Sequence, residues 1–209
     1  IGRQESLCTP HIYDLNEYIG TGVHEMTICV SNVGYKTKGG HLTSPDTQTN
    51  WNGITGRIEL IGYKNAHAEN VMLWCDIHNK TVRVTANITG GKSGKAVISA
   101  ESFNSEKNHT PAVQSFEYTN GKLDALYKMG DDCLLWSEHE PNLYKLRIDI
   151  DGDMSEHIIG MREFMTEGGK FTINGEKTFL RGKHDGMIFP KTAFAPTDLE
   201  EWLRIMKIS

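Results

Sequence analysis

Two stretches of this 209-residue sequence carry polar side chains at spacings that suit a binding or catalytic site. In the later one, the apolar run Thr178-Phe179-Leu180 is followed at once by Arg181, Lys183, His184 and Asp185. Four polar residues at the C-terminal end of a strand, before a loop and a helix, stand where barrel enzymes carry their site residues. The same residues would equally make a solvated loop with a surface ion pair. The earlier stretch runs from Gly40 to Asn52 and holds His41, Asp46, Gln48 and Asn50 before Trp51-Asn52-Gly53-Ile54 leads into a strand. Its plainest reading is a long surface loop pinned by Trp51. A third group, Glu138-His139-Glu140, offers too few ligands of the right spacing for a metal centre.

The elements that must position these residues are mostly strands. Met26–Val30, Thr81–Ile88 and Tyr144–Ile150 alternate apolar and polar residues, the period of a half-buried antiparallel strand. Asn120-Gly121, Asp151-Gly152 and Asn174-Gly175 are pairs that accept positive φ, and they predict tight hairpin turns. Residues 67–165 hold about seven such strands, enough for an immunoglobulin-like sandwich. Residues 1–64 supply only three or four, too few to cover a core of their own. Helical spacing occurs once, at Leu199, Trp202, Leu203 and Met206, with Thr197 and Glu200 read as a capping box. An opening without Met and a last helix without a stop signal predict a piece of a longer protein. The fold class expected is therefore mainly β.

Composition narrows the classes further. The formal net charge is −5, no basic run stands out, and no apolar stretch approaches the ~20 residues of a membrane helix. Nucleic acid and anionic membrane are excluded as expected partners. Cys8, Cys29, Cys75 and Cys133 show no metal or redox spacing, so neither zinc nor any other cofactor is expected, nor a disulfide. Cys75 shares a strand face with Val71, Leu73 and Ile77 and reads as a small buried hydrophobe. The Asn-x-Thr triplets at Asn79, Asn87 and Asn108 read as ordinary turn and strand residues.

Two motifs are more particular. Gly160-Met161-Arg162-Glu163-Phe164 precedes Phe171-Thr172-Ile173-Asn174-Gly175, with Phe179-Leu180-Arg181-Gly182 after it, and Trp136-Ser137 precedes Pro141-Asn142-Leu143-Tyr144. With Asn52-Gly53-Ile54, these resemble glycoside hydrolase family 2, the β-galactosidase and β-glucuronidase group. The resemblance implies the end of a jelly-roll sugar-binding domain over residues 1–64. An immunoglobulin-like β-sandwich over 65–165 and the first strand and helix of a (β/α)8 barrel over 166–209 would follow.

It also implies roles. In such relatives a jelly-roll loop just before the Gly-Ile step sends an Asp into the sugar site, which Asp46 matches within one position; His41, Gln48 and Asn50 lie beside it. Carboxylates and amides suit sugar hydroxyls because each bridges two neighbouring oxygens. The family's barrel opening usually reads Arg-Gly-Val-Asn-Arg-His-Glu, with the His touching substrate. Here Arg-Gly-Lys-His-Asp is two residues shorter, and His184 and Asp185 replace the His-Glu pair; Arg181 fits a barrel-floor ion pair. Such enzymes hydrolyse glycosides with retention, using two carboxyl groups about 5–5.5 Å apart. Both come from later barrel strands, and a barrel needs roughly 200 residues, of which 44 follow residue 165. The resemblance thus implies a non-catalytic front segment of a retaining exo-β-galactosidase-like enzyme that binds a terminal β-linked sugar once joined to its barrel. A periplasmic or secreted location and a homo-oligomer accord with it. The other reading is a stand-alone carbohydrate-binding or structural β module.

Overall fold

The computed structural model describes residues 1–6, 9–31, 53–54, 56–182 and 198–208, and the chain divides into two compact units. The larger, Ile61–Arg181, holds every strand among the described residues. Seven of them are β1 (His67–Asp76), β2 (Thr81–Thr89), β3 (Ser93–Ser102), β4 (Gln114–Thr119), β5 (Lys122–Lys128), β6 (Tyr144–Ile150) and β7 (Asp153–Ile159). They pair antiparallel in the order β1-β2-β5-β4-β3-β6-β7. Pairing between β4 and β5 is confined to Thr119 and Lys122 beside their turn. The sheet therefore folds at that corner into two layers, β1-β2-β5 and β4-β3-β6-β7, as in an immunoglobulin-like sandwich.

Alternation decides which face is dry. On β6 Tyr144, Leu146, Ile148 and Ile150 are fully buried, while Lys145, Arg147 and Asp149 between them are not. Val82 and Val84 of β2, Ala96 and Ile98 of β3, and Leu123, Ala125 and Tyr127 of β5 join them in one core. Each large aliphatic side chain buried in this way contributes about 1.5–3 kcal/mol. Cys75 packs half-buried against that core, and its thiol is pushed up to about 11, first by desolvation and then by the neighbouring Cys133. It is a free thiol, as are Cys133 and Cys29.

The turns explain the order of strands. Asn120-Gly121 (φ 53° and 67°) and Asp151-Gly152 (φ 52° and 85°) adopt left-handed pairs that match the strand twist. Two glycines are needed for space: a Cβ at Gly94 would stand 2.7 Å from the Tyr118 hydroxyl, and one at Gly91 would stand 2.6 Å from it. Tyr118 is buried, so its ring lies over backbone that only glycine leaves open. On β1, a bulge between Glu69 and Met72, with Asn70 at φ 51°, bends what would otherwise be a straight exposed edge.

After the sandwich come β8 (Phe164–Glu167), β9 (Lys170–Ile173) and β10 (Glu176–Lys177), a small sheet in the order β10-β9-β8. Its turns are Gly168-Gly169 and Asn174-Gly175, both with positive φ.

The other unit comprises Ile1–Leu60 and Gly182–Ser209. Met26–Val30, expected as a strand, pairs with no strand among the described residues, and Met26, Ile28 and Val30 are exposed. Alternation marks a segment able to form a strand; a partner is what makes it one. Helix α1 (Leu199–Ile208) confirms the helical spacing but moves its cap. The Asp198 carboxylate accepts the Glu201 amide at 2.7 Å, so Asp198 is the N-cap, one residue later than the expected Thr197. Asp outranks Thr as a cap.

Candidate functional site

The residues that sequence reasoning selects for substrate, Asp46, His41, Gln48, Asn50, His184 and Asp185, lie outside the described residues, as do Trp51 and Lys183. The described flanks are Gly53, Ile54, Arg181 and Gly182, all exposed. What the structure does describe is the framework of the two motifs that carry the resemblance.

That framework centres on Trp136 and Asn174. The Met161 carbonyl accepts the Trp136 amide at 2.9 Å, and Leu135 and Met161 form a parallel bridge. Met161 itself is fully buried. Gly160 lies flat against the indole: a Cβ there would meet three Trp136 side-chain atoms at 3.1 Å. The Arg162 guanidinium sits 4.9 Å from the centre of the same ring, a cation–π pair. Asn174, at φ 53°, ties the small sheet to this knot. Its Oδ1 accepts the Glu163 amide at 2.9 Å, its Nδ2 donates to the Trp136 carbonyl at 2.9 Å, and its own amide donates to the Glu163 carbonyl at 2.9 Å. Phe164 and Phe171 stack at 5.3 Å across β8 and β9. Gly160, Met161, Arg162 and Asn174 thus each have a packing or hydrogen-bonding task.

The stretch after Trp136 is equally structural. Asn142 Nδ2 donates to the Leu135 carbonyl at 2.9 Å, and Asn104 caps the turn by donating to the Pro141 carbonyl and accepting the Leu143 amide, both at 2.7 Å. Tyr144 is buried, and its hydroxyl accepts the Leu134 amide at 2.8 Å. Burial holds its phenol well above the ordinary tyrosine range. Glu138 and His139 pair on the surface at 3.4 Å, where such a pair is worth little. Among the described residues no group of three His, Cys, Asp or Glu is arranged to hold a metal ion.

A shallow groove at one end of the sandwich, about 590 Å³, is lined by His109, Pro111, Gln114, Lys128, Met129 and Asp132. Gln114 closes the gap where β4 and β5 splay: its Nε2 donates to the Lys128 carbonyl at 2.8 Å and its Oε1 accepts the Lys128 amide at 3.1 Å. The amide side chain thus takes the place of a ladder residue. Sequence reasoning missed Gln114, Asn104 and His109; the signal for the first was a carboxamide at the head of a strand beside a buried partner.

Residues 66–162 match the family model of glycosyl hydrolases family 2. The sandwich is a glycosyl hydrolases family 2 domain. The match ends at Arg162, inside the Trp136 knot, so the family domain and the observed sandwich share their limits. Curated relatives are similar over more of the chain. A β-galactosidase of Leuconostoc mesenteroides is 22% identical over 210 residues, covering 93% of this chain and 20% of that protein. One from Halalkalibacterium halodurans is 25% identical over 220 residues, covering 99% of this chain and 21% of that protein. A third, from Thermoanaerobacterium thermosulfurigenes, is 30% identical over 108 residues, 50% of this chain and 14% of that protein. The chain spans about a fifth of the length of the first two. Among solved structures, Bacteroides uniformis β-glucuronidase 3 is 23% identical with a TM-score of 0.43, covering 69% of this chain and 18% of that one. Faecalibacterium prausnitzii β-glucuronidase is 16% identical with a TM-score of 0.44, covering 56% and 18%.

Proposed function

We propose that this chain is the non-catalytic front portion of a retaining, exo-acting β-galactosidase-like enzyme of glycosyl hydrolases family 2. The observation that carries the reading is the family sandwich over residues 66–162, set in a chain similar over 93% of its length to a fifth of a β-galactosidase. In this proposal residues 1–64 finish a jelly-roll domain, 65–165 are the sandwich, and 166–209 begin a (β/α)8 barrel. Asp46, with His41, Gln48 and Asn50 beside it, binds hydroxyls of a terminal β-linked sugar, and His184 and Asp185 face the same sugar from the barrel opening. The carboxyl pair that cleaves the bond belongs to barrel strands of the longer protein. Acid, base and nucleophile in such enzymes are side-chain carboxyls about 5–5.5 Å apart, and Glu138 and Glu163, paired with His139 and His78, serve the sandwich surface instead.

Hydrolysis of chromogenic β-galactoside, β-glucuronide and β-mannoside by the 209-residue chain, and by the full-length protein it belongs to, tests this. The expected result is no turnover by the chain and β-galactoside turnover by the full protein. Turnover by the chain alone would overturn the placement of the carboxylates. Activity of the full protein confined to β-mannosides would overturn the choice of sugar. Measurable galactose binding by the isolated chain would favour a stand-alone carbohydrate-binding module.

A further inference from the structure

We propose that the outer face of the β1-β2-β5 layer is a platform for a neutral β-linked polysaccharide, on which a sugar ring stacks on Trp74 and bonds to the Arg83–Asp124 pair. This is a binding site on the sandwich itself, in addition to the sugar-cleaving site proposed above. Strand register brings its six side chains together in two rows. Trp74, Arg83 and Leu126 are cross-strand neighbours, and so are Met72, Thr85 and Asp124. With ordinary strand spacing the two rows cover roughly 10 Å across the strands and 7 Å along them. Met72, Trp74 and Leu126 are 56%, 50% and 55% exposed. Of the described tryptophans only Trp74 is exposed. An aromatic ring left in water beside two further apolar side chains is the informative kind of exposure.

The polar pair in the middle is already held in place. Arg83 Nε donates to Asp124 Oδ1 at 2.9 Å and Nη2 donates to Oδ2 at 2.7 Å, a two-pronged fork. The same guanidinium lies 5.9 Å from the centre of the Trp74 ring. A guanidinium has five N–H donors and a carboxylate about four acceptor positions. The fork uses two of each, and neither group makes another hydrogen bond among the described residues. Donors and acceptors with spare capacity thus stand beside the indole, fixed by each other rather than by a ligand. A pyranose matches this pattern. One face of its ring is C–H groups, which lie on an indole, and each hydroxyl on its rim both donates and accepts, which the pair answers with both.

Charge and area choose a glycan over other occupants. Arg83 and Asp124 neutralise each other, so an ionic ligand must break the fork to use either one, and a neutral polyol need not. Three apolar side chains about half exposed make a patch of roughly 300 Å². A standard protein interface takes about 800 Å² from each partner. The next rows out are charged, with Glu69 and Lys122 at one end and Asp76 and Lys128 at the other, so the apolar surface stops there. A flat, neutral face of this size fits a short length of an extended sugar chain. Holding the polymer on the sandwich would keep its ends close to the enzyme.

The test is native gel electrophoresis of the full 209-residue chain through gels holding soluble β-galactan, β-mannan or hydroxyethyl cellulose. Retardation is expected in at least one of them, and Trp74→Ala is expected to weaken it by about tenfold or more. Trp74→Phe, which keeps a ring, is expected to retain part of it. Arg83→Lys keeps the charge but loses the fork, and is expected to weaken it several-fold. All three side chains are exposed or half-exposed, so urea midpoints within experimental error of wild type check that the fold is intact. No retardation in any gel would overturn the platform, as would equal retardation of wild type and Trp74→Ala. A self-associating wild type that Trp74→Ala disperses, seen by sedimentation, would overturn it in favour of a protein-binding face. Chromogenic β-galactoside hydrolysis by the full-length protein keeps the two sugar readings apart. It is expected to be unchanged by Trp74→Ala, and its absence from the wild type would overturn the proposed reaction while the gels still decide the platform.

Discussion

Replacing Asn174 by Ala isolates the staple between the small sheet and the sandwich. Two part-buried side-chain hydrogen bonds vanish, to the Glu163 amide and the Trp136 carbonyl. Each is worth about 1 kcal/mol net, and somewhat more where the partner is left unsatisfied. Ala must also adopt the φ of 53° that Asn tolerates, at about 1 kcal/mol. The sum is about 2–4 kcal/mol, felt where the staple acts. The assay is amide exchange at Asn174 itself and Thr178, whose backbone bonds to Glu163 and Phe171 the substitution leaves in place. Opening there should rise on the order of 30- to 1,000-fold, with β3 and β6 amides moving far less. Asn174→Gly keeps the loss of both bonds but removes the strain, so it should sit about 1 kcal/mol above Ala. Equal exchange in wild type and Asn174→Ala would refute the reasoning, as would a loss spread evenly across every strand.

Other perturbations follow from the same geometry. Gly94→Ala drives a methyl into the buried Tyr118 ring and should cost about 2–4 kcal/mol in urea unfolding, with Tyr118→Phe restoring only part because ring carbons also stand within 2.9 Å. Gln114→Ala should cost about 1–2 kcal/mol by the same measurement and raise exchange at the Lys128 amide; Gln114→Glu keeps the acceptor for that amide but loses the donor to the Lys128 carbonyl. His157 is held below its ordinary value by burial, so the stability it lends is present above the unfolded pKa and lost as pH falls. The drop in urea midpoint between pH 7.5 and pH 5 should therefore be smaller in His157→Gln.

The sandwich was legible because its signals are local. Alternation in Thr81–Ile88 and Tyr144–Ile150 gives the buried faces directly, and Asn-Gly and Asp-Gly pairs place the hairpins without tertiary information. Met26–Val30 shows the limit, since the same alternation there joins no ladder among the described residues. The helix cap slipped by one residue because Thr197 and Asp198 are both competent caps, and only backbone geometry separates them. Gly168-Gly169 escaped notice although its physics is that of Asn174-Gly175. The tasks of Gln114, Asn104 and Tyr144 were unreadable for a different reason: each satisfies a backbone group 10 to 39 positions away. Nothing in a local window encodes such a distance.

What identifies this chain is framework rather than chemistry. The residues that carry the resemblance, Gly160, Met161, Arg162, Asn174, Trp136 and Tyr144, hold two segments against each other. A glycine is required where an indole lies flat, and an asparagine where one side chain must both donate and accept in the left-handed region. Such demands tolerate few substitutes. Sugar hydroxyls make a looser demand, because Asp, Asn, Gln and His can each satisfy one. Framework motifs therefore point to the family, while Asp46 and His184, proposed above for the sugar site, answer to a separate demand. Substituting Asp46 by Asn in the full-length protein separates the two. Stability should be unchanged while KM for a β-galactoside rises by about tenfold or more, the loss of one charge-assisted hydrogen bond. An unchanged KM would remove Asp46 from the sugar site and leave the family assignment intact.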